Sequence, residues 1–334
     1  MPRMKILHKI TLLFGFGFFI SGCAASPTFL SPASPIAAHE ATLYKDILVE
    51  SLSIFVLIIG VLVWILVRDR SRGENNKTLP PQLYGKMALI AIPVLMIILL
   101  DGVDFVWMAR TMRAVAAPVV SAQDVNVQVI GHRWWWEFDY PDLGIKTANE
   151  LHIPVGATVQ ITLDSVDVIH SFWVPQLSGK TDAIPGQTNH MWITADQAGV
   201  FTGQCAEFCG TEHAMMRVHV VVDSQSDFDA WVADQQKPAP EPQTQDEQDG
   251  YKLVTSLCAS CHSLRPTEPG FKTGPNLTHL FSRTVFAGAS YDLTEENLRR
   301  WLANTQPMKP GNDMGVKLTP QEIDQILAYL RLLK

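Results

Sequence analysis

The sequence has little charge and few cysteines, and each shortage excludes a class of protein. Charged residues make up 18% of the 334 residues, below the ~25% usual in soluble domains, which indicates membrane segments. The 26 Lys and Arg residues are outnumbered by 33 Asp and Glu residues, for a net charge of −7, so a nucleic-acid partner is not expected. The 5 cysteines are an odd number, which excludes a fully paired disulfide framework.

The N-terminus predicts an export signal in residues 1–22. Basic residues precede an apolar run from Ile10 to Ile20, as in secretory signals. The run ends in Ile20-Ser21-Gly22-Cys23, which resembles the cleavage box of bacterial lipoproteins, where the cysteine becomes the lipidated first residue. The resemblance implies a lipid anchor on Cys23. An ordinary signal cut after Ala25 is the alternative, because small residues surround that bond as well.

Two apolar stretches predict a transmembrane helical hairpin in residues 43–110, with helices at about 45–67 and 86–109. The stretch Ile47–Val67 has 21 residues and one charge, which at ~1.5 Å per residue is enough to cross a bilayer. The uncharged core of the second stretch, Met87–Leu100, has only 14 residues, so it crosses only if the helix continues. The loop between them is rich in Arg and Lys, which favours a cytoplasmic loop and external termini.

The remainder of the chain divides into two domains and a linker, and residues 23–42 form an external N-terminal segment. Residues 123–235 contain many short alternating runs separated by Pro and Gly turns, which predicts a β-sandwich or barrel. Residues 236–248 are rich in Pro, Gln and acids and predict an extended linker. Residues 249–334 contain helix-start signals such as Thr319-Pro-Gln-Glu322 and predict an α-helical domain.

Charge is divided unevenly between these two domains. Residues 123–235 carry 4 basic and 15 acidic side chains, a net charge of −11, whereas residues 249–334 carry 10 basic and 8 acidic side chains, a net charge of +2. We therefore expect the C-terminal domain to dock on the acidic one, with the attraction strongest at low salt.

The densest group of metal-binding side chains lies in residues 205–216. Two thiolates, an imidazole and a thioether stand within these 12 residues, at Cys205, Cys209, His213 and Met216. Such a soft set favours copper. Zinc, which usually takes a second pair of Cys or His ligands, and a disulfide, which three intervening residues would strain, are the alternatives.

The spacing Cys-x-Glu-x-Cys-x3-His-x2-Met in this segment resembles the binuclear copper A motif of the cytochrome c oxidase subunit II family. In that family both thiolates bridge two coppers, each copper has one histidine, and a Met and the Glu backbone carbonyl complete the site. The family's upstream histidine motif is matched by Asp167–Trp173. The resemblance implies a cupredoxin-like all-β domain. The implied copper ligands are His170, Cys205, Glu207, Cys209, His213 and Met216.

Three further positions are compared with that family. Gly131–Phe138 contains three consecutive tryptophans and resembles the family's aromatic stretch, which implies that electrons enter at Trp134; without the family, these tryptophans indicate packing. The family's Glu side chain also helps hold a magnesium ion at the contact with subunit I, so Glu207 is the candidate here. Lys86 stands seven residues before Pro93, where the family usually has a Glu near a proton channel, and we assign it no role.

The run Cys258-Ala-Ser-Cys261-His262 is the C-x-x-C-H motif of covalent haem c attachment. Cys258 and Cys261 would anchor the porphyrin and His262 would bind the iron. A thioredoxin-type C-x-x-C is the alternative, but it does not explain the histidine. A later Met is expected as the sixth ligand. Met308 and Met314 are the candidates, and the residues before Met314 resemble the loop preceding the axial Met of class I cytochromes c, which selects Met314.

Taken together, the resemblance implies a multidomain subunit II of a bacterial haem–copper oxidase: a transmembrane hairpin, a cupredoxin-like copper A domain and a fused all-α class I cytochrome c domain. The implied route runs from a cytochrome c or another donor through haem c and copper A to subunit I, where oxygen is reduced to water with proton pumping. The implied partners are subunit I, other oxidase subunits and membrane lipid, with both domains on the periplasmic side of the cell membrane.

Two other functions share some of these features. The corresponding subunit of a copper A-containing nitric oxide reductase would look the same, because the acceptor is chosen in subunit I. A membrane-tethered copper-binding or assembly module would explain the copper ligands, but it would not need a covalent haem.

Overall fold

The computed structural model describes residues 28–71, 83–115, 124–265 and 273–334. The predicted export signal, Cys23 and most of the basic loop between the two apolar stretches lie outside the described residues.

Two long helices open the described chain, α1 (Pro35–Ser71) and α2 (Leu83–Val115), and they contact each other. The first helix begins well before the predicted position because Ser34 and Pro35 form a favourable start. The Ser34 hydroxyl accepts a hydrogen bond from the Ala37 amide at 3.1 Å, and proline suits the first helical position. Within the described residues, one helix, over Pro35–Trp64, is long and apolar enough to cross a membrane by length and composition.

The segment before α1 is bound to the following domain. The Ala33 amide donates to the Gln176 carbonyl at 2.8 Å, and the Ala33 carbonyl accepts from the Asp196 amide at 2.9 Å. The Ser34 hydroxyl donates to the Leu177 carbonyl at 2.5 Å. The residues just before α1 are therefore held against this domain through both the amide and the carbonyl of Ala33 and through the Ser34 hydroxyl.

Ten strands form the domain that follows α1 and α2. They are β1 (Val125–His132), β2 (Trp135–Tyr140), β3 (Ile145–Ala148), β4 (Glu150–Pro154), β5 (Val159–Ser165), β6 (His170–Trp173), β7 (Thr181–Ala183), β8 (Asn189–Ile193), β9 (Gly199–Cys205) and β10 (Arg217–Asp223). The strands form two five-stranded sheets, ordered β3-β2-β1-β5-β8 and β4-β10-β9-β6-β7. Alternation creates the core, since β5 and β10 bury every second side chain. This confirms the predicted cupredoxin-like sandwich.

Helix α3 (Gln225–Gln235) follows the last strand of the sandwich and packs against β4 and β10. A helical domain comes next. Its elements are α4 (Gln245–Leu253), a short hairpin of β11 (Val285–Phe286) and β12 (Tyr291–Asp292), α5 (Glu295–Ala303) and α6 (Pro320–Leu330). Helix α4 starts inside the predicted extended linker because Thr244 and Glu247 form a reciprocal capping box. Gly250 lets α4 cross α6 closely, since a Cβ there would lie 2.0 Å from the Gln325 carbonyl oxygen.

Candidate metal and haem sites

The end of β9 and the start of β6 create the first part of the metal site. Strands β6 and β9 pair with Phe172 opposite Cys205, which brings His170 beside the Cys205 thiol. The distance from Cys205 Sγ to His170 Nδ1 is 3.9 Å, and Cys209 Sγ, on the following loop, also lies 3.9 Å from Cys205 Sγ. The three side chains are buried, and their ligand atoms lie within 4.8 Å of one another.

The loop between β9 and β10 brings the other predicted ligands to the same place. His213 Nδ1 lies 3.6 Å from Cys209 Sγ, and Met216 Sδ lies 3.8 Å from it. The Glu207 carbonyl oxygen lies 3.2 Å from Cys205 Sγ. The structure therefore brings all six residues implied by the resemblance into one cluster, with two sulfurs at its centre.

The separation of the two sulfurs excludes a disulfide between Cys205 and Cys209 in this structure. A disulfide requires ~2.05 Å, whereas these sulfurs are 3.9 Å apart and both cysteines are free. The interaction between the two thiols lowers the pKa of Cys205 and raises that of Cys209. Thiolate, thioether and imidazole donors fit copper.

His170 is oriented by contacts on its other side. Its Nε2 lies 2.8 Å from Asp167 Oδ1, which leaves Nδ1 facing the sulfurs, as second-shell carboxylates orient metal-binding histidines. Burial is the largest single effect and lowers the pKa of His170, but the hydrogen bonds and charges of Asp167 and Cys205 together outweigh it, so the net shift of the pKa is upward. Gly131 makes room for the ring, because a Cβ there would come within 2.6 Å of it.

A cavity between the helical domain and the sandwich is lined by the predicted haem ligands. Cys258, Cys261, His262 and Met314 all line it, together with Trp134 of the sandwich. An apolar lining of this kind suits a porphyrin ring. The apolar residues include Val254, Leu257, Leu280, Phe286, Leu298, Trp301, Leu302, Ile326 and Leu330.

The ring of His262 is held in one orientation. Its Nδ1 donates to the Pro275 carbonyl at 2.7 Å, which leaves Nε2 as the nitrogen that can bind iron. A Cβ at Gly274 would lie 2.5 Å from the ring, so the 274–275 turn packs directly on it. Burial lowers the pKa of His262, which favours the neutral form that ligates metals.

The two candidate methionines have different surroundings. Met314 lines the cavity, and its Sδ accepts a hydrogen bond from Trp301 Nε1 at 3.2 Å. Met308 is buried in the core of the helical domain, and its carbonyl accepts from the Tyr291 hydroxyl at 2.7 Å. The donor set and the cavity fit a haem c, for which Cys258 and Cys261 would be the attachment points and His262 and Met314 the candidate iron ligands.

Trp134 lies between the two sites. Its Nε1 donates to the Cys209 carbonyl at 2.9 Å, and its ring lies against Gly210, where a Cβ would come within 3.1 Å. The same ring faces Gly311 of the helical domain and lines the haem cavity. Trp134 is only 8% exposed because the helical domain covers it.

Buried polar side chains join the two domains, and sequence reasoning missed them. The Lys309 Nζ donates to the carbonyls of Trp134 at 2.5 Å and Ala287 at 2.9 Å. The Glu150 Oε1 accepts from the amides of Thr284 at 2.7 Å and Val285 at 3.0 Å. No sequence signal separates these residues from ordinary surface charges, since their burial depends on docking.

Ion pairs do not provide this contact. Within the described ranges 124–265 and 273–334, none of the ion pairs within 4.0 Å joins the sandwich to the helical domain. Arg283 contributes instead through neutral partners, donating from Nε to Thr147 Oγ1 at 3.2 Å. Opposite charges nevertheless act across the contact. Burial lowers the pKa of Arg283 and of Lys309, and the sandwich residues Glu150 and Glu212, respectively, offset part of that shift.

Comparison with known proteins finds relatives of both domains. Residues 143–224 match the family described as cytochrome C oxidase subunit II, periplasmic domain, and residues 247–334 match the cytochrome c family. Cytochrome c oxidase subunit 2 of Alkalihalophilus pseudofirmus is 33% identical over 100% of this chain and 99% of its own. That of Bacillus subtilis is 32% identical over 99% of both chains.

Among solved structures, the periplasmic domain of subunit II of cytochrome oxidase from Bradyrhizobium japonicum is 33% identical, covers 34% of this chain and 95% of its own, and has a TM-score of 0.33.

Proposed function

The chain belongs to the cytochrome c oxidase subunit 2 family, and we propose that it is the subunit through which electrons enter a bacterial terminal oxidase. Electrons pass from an external donor to haem c, then to copper A, and on to subunit I, where oxygen is reduced to water. The single observation that carries this proposal is the placement of Trp134, which hydrogen-bonds to Cys209 and lines the haem cavity.

A binuclear copper A centre is the finer proposal for the cluster in the sandwich. Cys205 and Cys209 would bridge two coppers, with His170 and His213 as terminal ligands. The two imidazoles lie against different sulfurs, His170 beside Cys205 and His213 beside Cys209, which supports one imidazole for each copper. Met216 and the Glu207 carbonyl would complete the set. The half-buried Glu207 side chain is the candidate for a magnesium ion at the contact with subunit I.

The haem proposal assigns covalent attachment to Cys258 and Cys261 and iron ligation to His262 and Met314. Bound haem and copper supply one-electron chemistry. The protein presents Nε2 of His262 and Sδ of Met314 to the cavity, excludes water with apolar side chains, and holds Trp134 in the gap between the two sites. A rigid β-scaffold keeps the copper ligands in place, so little rearrangement accompanies a change of redox state.

The membrane proposal is a two-helix hairpin formed by α1 and α2. Large apolar side chains point outward on both helices, such as Leu66 with 69% exposure and Leu99 with 62%. Exposed apolar surface of this extent needs lipid or a partner. We place both domains on the periplasmic side of the cell membrane, with a lipid on Cys23. Membrane lipid, subunit I, other oxidase subunits and a cytochrome c or other donor are the proposed partners.

The proposed domain bounds follow the sequence prediction. The copper domain occupies 123–235 and the cytochrome domain 249–334. They are joined by the linker 236–248, whose last residues are already helical.

The test is to purify the complex from membranes and to measure oxygen consumption with reduced cytochrome c. Oxygen uptake with rapid oxidation of haem c is the expected result. Turnover of nitric oxide without oxygen uptake would show that the complex is a nitric oxide reductase and not an oxidase. Copper binding without any haem c would favour an assembly module instead.

A further inference from the structure

Lys309 is the most unusual side chain at the contact between the two domains. It is a lysine with 4% exposure, and lysine is almost never buried without partners. Its Nζ is surrounded by the carbonyl oxygens of Trp134 at 2.5 Å, Ala287 at 2.9 Å and Met215 at 3.4 Å. An ammonium group has three N–H donors and no acceptor, so the three carbonyls match it in number and kind.

The three carbonyls belong to three separate segments that lie between the haem cavity and the copper ligands. Trp134 separates the haem cavity from the copper loop, Met215 precedes the proposed copper ligand Met216, and Ala287 belongs to the cytochrome domain. Lys309 itself begins the loop that ends at Met314. One amine therefore fixes the backbone on both sides of the contact.

The segment 288–290 packs closely around the Lys309 amine. Gly288 has a φ of 74°, a conformation that favours glycine. A Cβ there would lie 2.6 Å from both Lys309 Nζ and the Trp134 carbonyl oxygen. The Ser290 hydroxyl donates to the Met215 carbonyl at 2.6 Å, and the Gly288 carbonyl accepts from the Arg217 amide at 2.8 Å. The segment 288–290 thus closes around the amine and leaves no room for a larger side chain.

We propose that Lys309 is a positioning residue for electron transfer, which holds Trp134, the Met215 backbone and the axial-Met loop in one fixed arrangement. The inference rests on the proposed function, because haem c is the donor and copper A the acceptor. One electron leaves the haem iron and arrives on the copper pair, with no bond formed or broken. Lys309 acts by keeping the domains docked, so transfer does not wait for a diffusional encounter.

The test compares Lys309→Met with Lys317→Met in the purified oxidase complex. Lys317 is an exposed residue three positions after Met314, so its replacement is the same Lys-to-Met change just beyond this loop and does not touch the contact. The internal rate from haem c to copper A should fall at least about tenfold in Lys309→Met, since loss of the docked population appears directly in the rate. In Lys317→Met the rate should stay within about twofold.

Hydrogen exchange gives a second readout that does not depend on turnover. Amides of residues 284–291 should exchange at least about tenfold faster in Lys309→Met, because local opening of the contact exposes them. The haem c spectrum, the haem potential and the copper signal should stay as in the parent protein. An unchanged rate and unchanged exchange in a complex with intact haem c and copper would overturn the role of Lys309.

If the complex that carries Lys309→Met does not assemble, Gly288→Ala is the second variant. It keeps the lysine, but the added Cβ would lie 2.6 Å from Lys309 Nζ and so displaces the amine. The same loss of rate is expected, and a parent-like rate would overturn the proposal. Failure of the proposed function is distinguishable, since it would appear in the parent complex as a missing haem c or copper A signal.

Discussion

The indole Nε1 of Trp134 donates a hydrogen bond to the carbonyl oxygen of Cys209 at 2.9 Å. This bond joins the aromatic ring that lines the haem cavity to the backbone of a proposed copper ligand. The cytochrome domain covers the outer face of the ring, so an external protein cannot reach it there. This burial supports the proposed route, in which electrons from outside enter at the haem.

Replacing Trp134 by Phe should slow transfer from haem c to copper A without removing either cofactor. Phenylalanine keeps an aromatic ring but has no N–H for the Cys209 carbonyl. We expect a loss of at least about tenfold, equivalent to ~1.4 kcal/mol in the barrier, measured by rapid reduction of haem c. Trp231→Phe is the control, since that indole stacks on His152. Equal rates in all three proteins would remove Trp134 from the path.

The copper assignment predicts different outcomes for two positions in one loop. Cys209→Ser should abolish the mixed-valence copper EPR signal and leave the haem c spectrum, because serine cannot replace a bridging thiolate. Glu207→Gln is the matched control, since it keeps the backbone carbonyl that lies 3.2 Å from Cys205 Sγ. Persistence of the signal in Cys209→Ser would refute the ligand set.

The two methionines can be separated by a pair of substitutions. Met314→Ala should lower the reduction potential of haem c and change the spectrum of the oxidised haem, because a thioether ligand raises the potential. Met308→Leu should keep both properties and reduce the free energy of unfolding by less than about 1.5 kcal/mol, as for volume-conserving core changes. The reverse pattern would assign the iron ligand to Met308.

A substitution of Glu150 tests a second part of the buried contact between the domains, where this sandwich residue meets Thr284 and Val285 of the helical domain. The Glu150 Oε1 accepts from two amides and the Thr284 hydroxyl, and hydrogen bonds to a charged group contribute about 1.5–3 kcal/mol each. Glu150→Gln should therefore increase hydrogen exchange in residues 284–285, measured by mass spectrometry. The exposed Glu241 gives the control, Glu241→Gln, which should leave exchange there unchanged. Unchanged exchange in both variants would mean that Glu150 does not hold the contact.

Local sequence determined much of the candidate sites. The residues from Cys205 to Met216 lie in one loop, so their spacing alone predicts a cluster, and the C-x-x-C-H run similarly places two cysteines and a histidine on one turn. His170 was found only through the family resemblance, because its approach to Cys205 depends on pairing between β6 and β9.

The contact between the domains could not be predicted in this way. Lys309 and Glu150 have the composition of surface residues, and their burial results from the docking of two folded domains. Net charge predicted an attraction between the domains, but it could not predict the buried hydrogen bonds to backbone groups that the structure adds. Helices α1 and α4 begin earlier than predicted, at Pro35 and Gln245. The capping residues Ser34 and Thr244 indicate these starts, but the predicted bounds followed the amino-acid composition of the two segments instead.

Internal electron transfer is the most direct test of the account. In the purified complex, haem c is reduced rapidly, and the absorbance of haem c and copper A is followed together. We predict that haem c is reoxidised as copper A is reduced, in a first-order step independent of protein concentration and of salt, because the domains are docked by buried contacts. A rate that falls steeply with salt, or copper reduction only after a soluble cytochrome is added, would contradict a fixed path through Trp134.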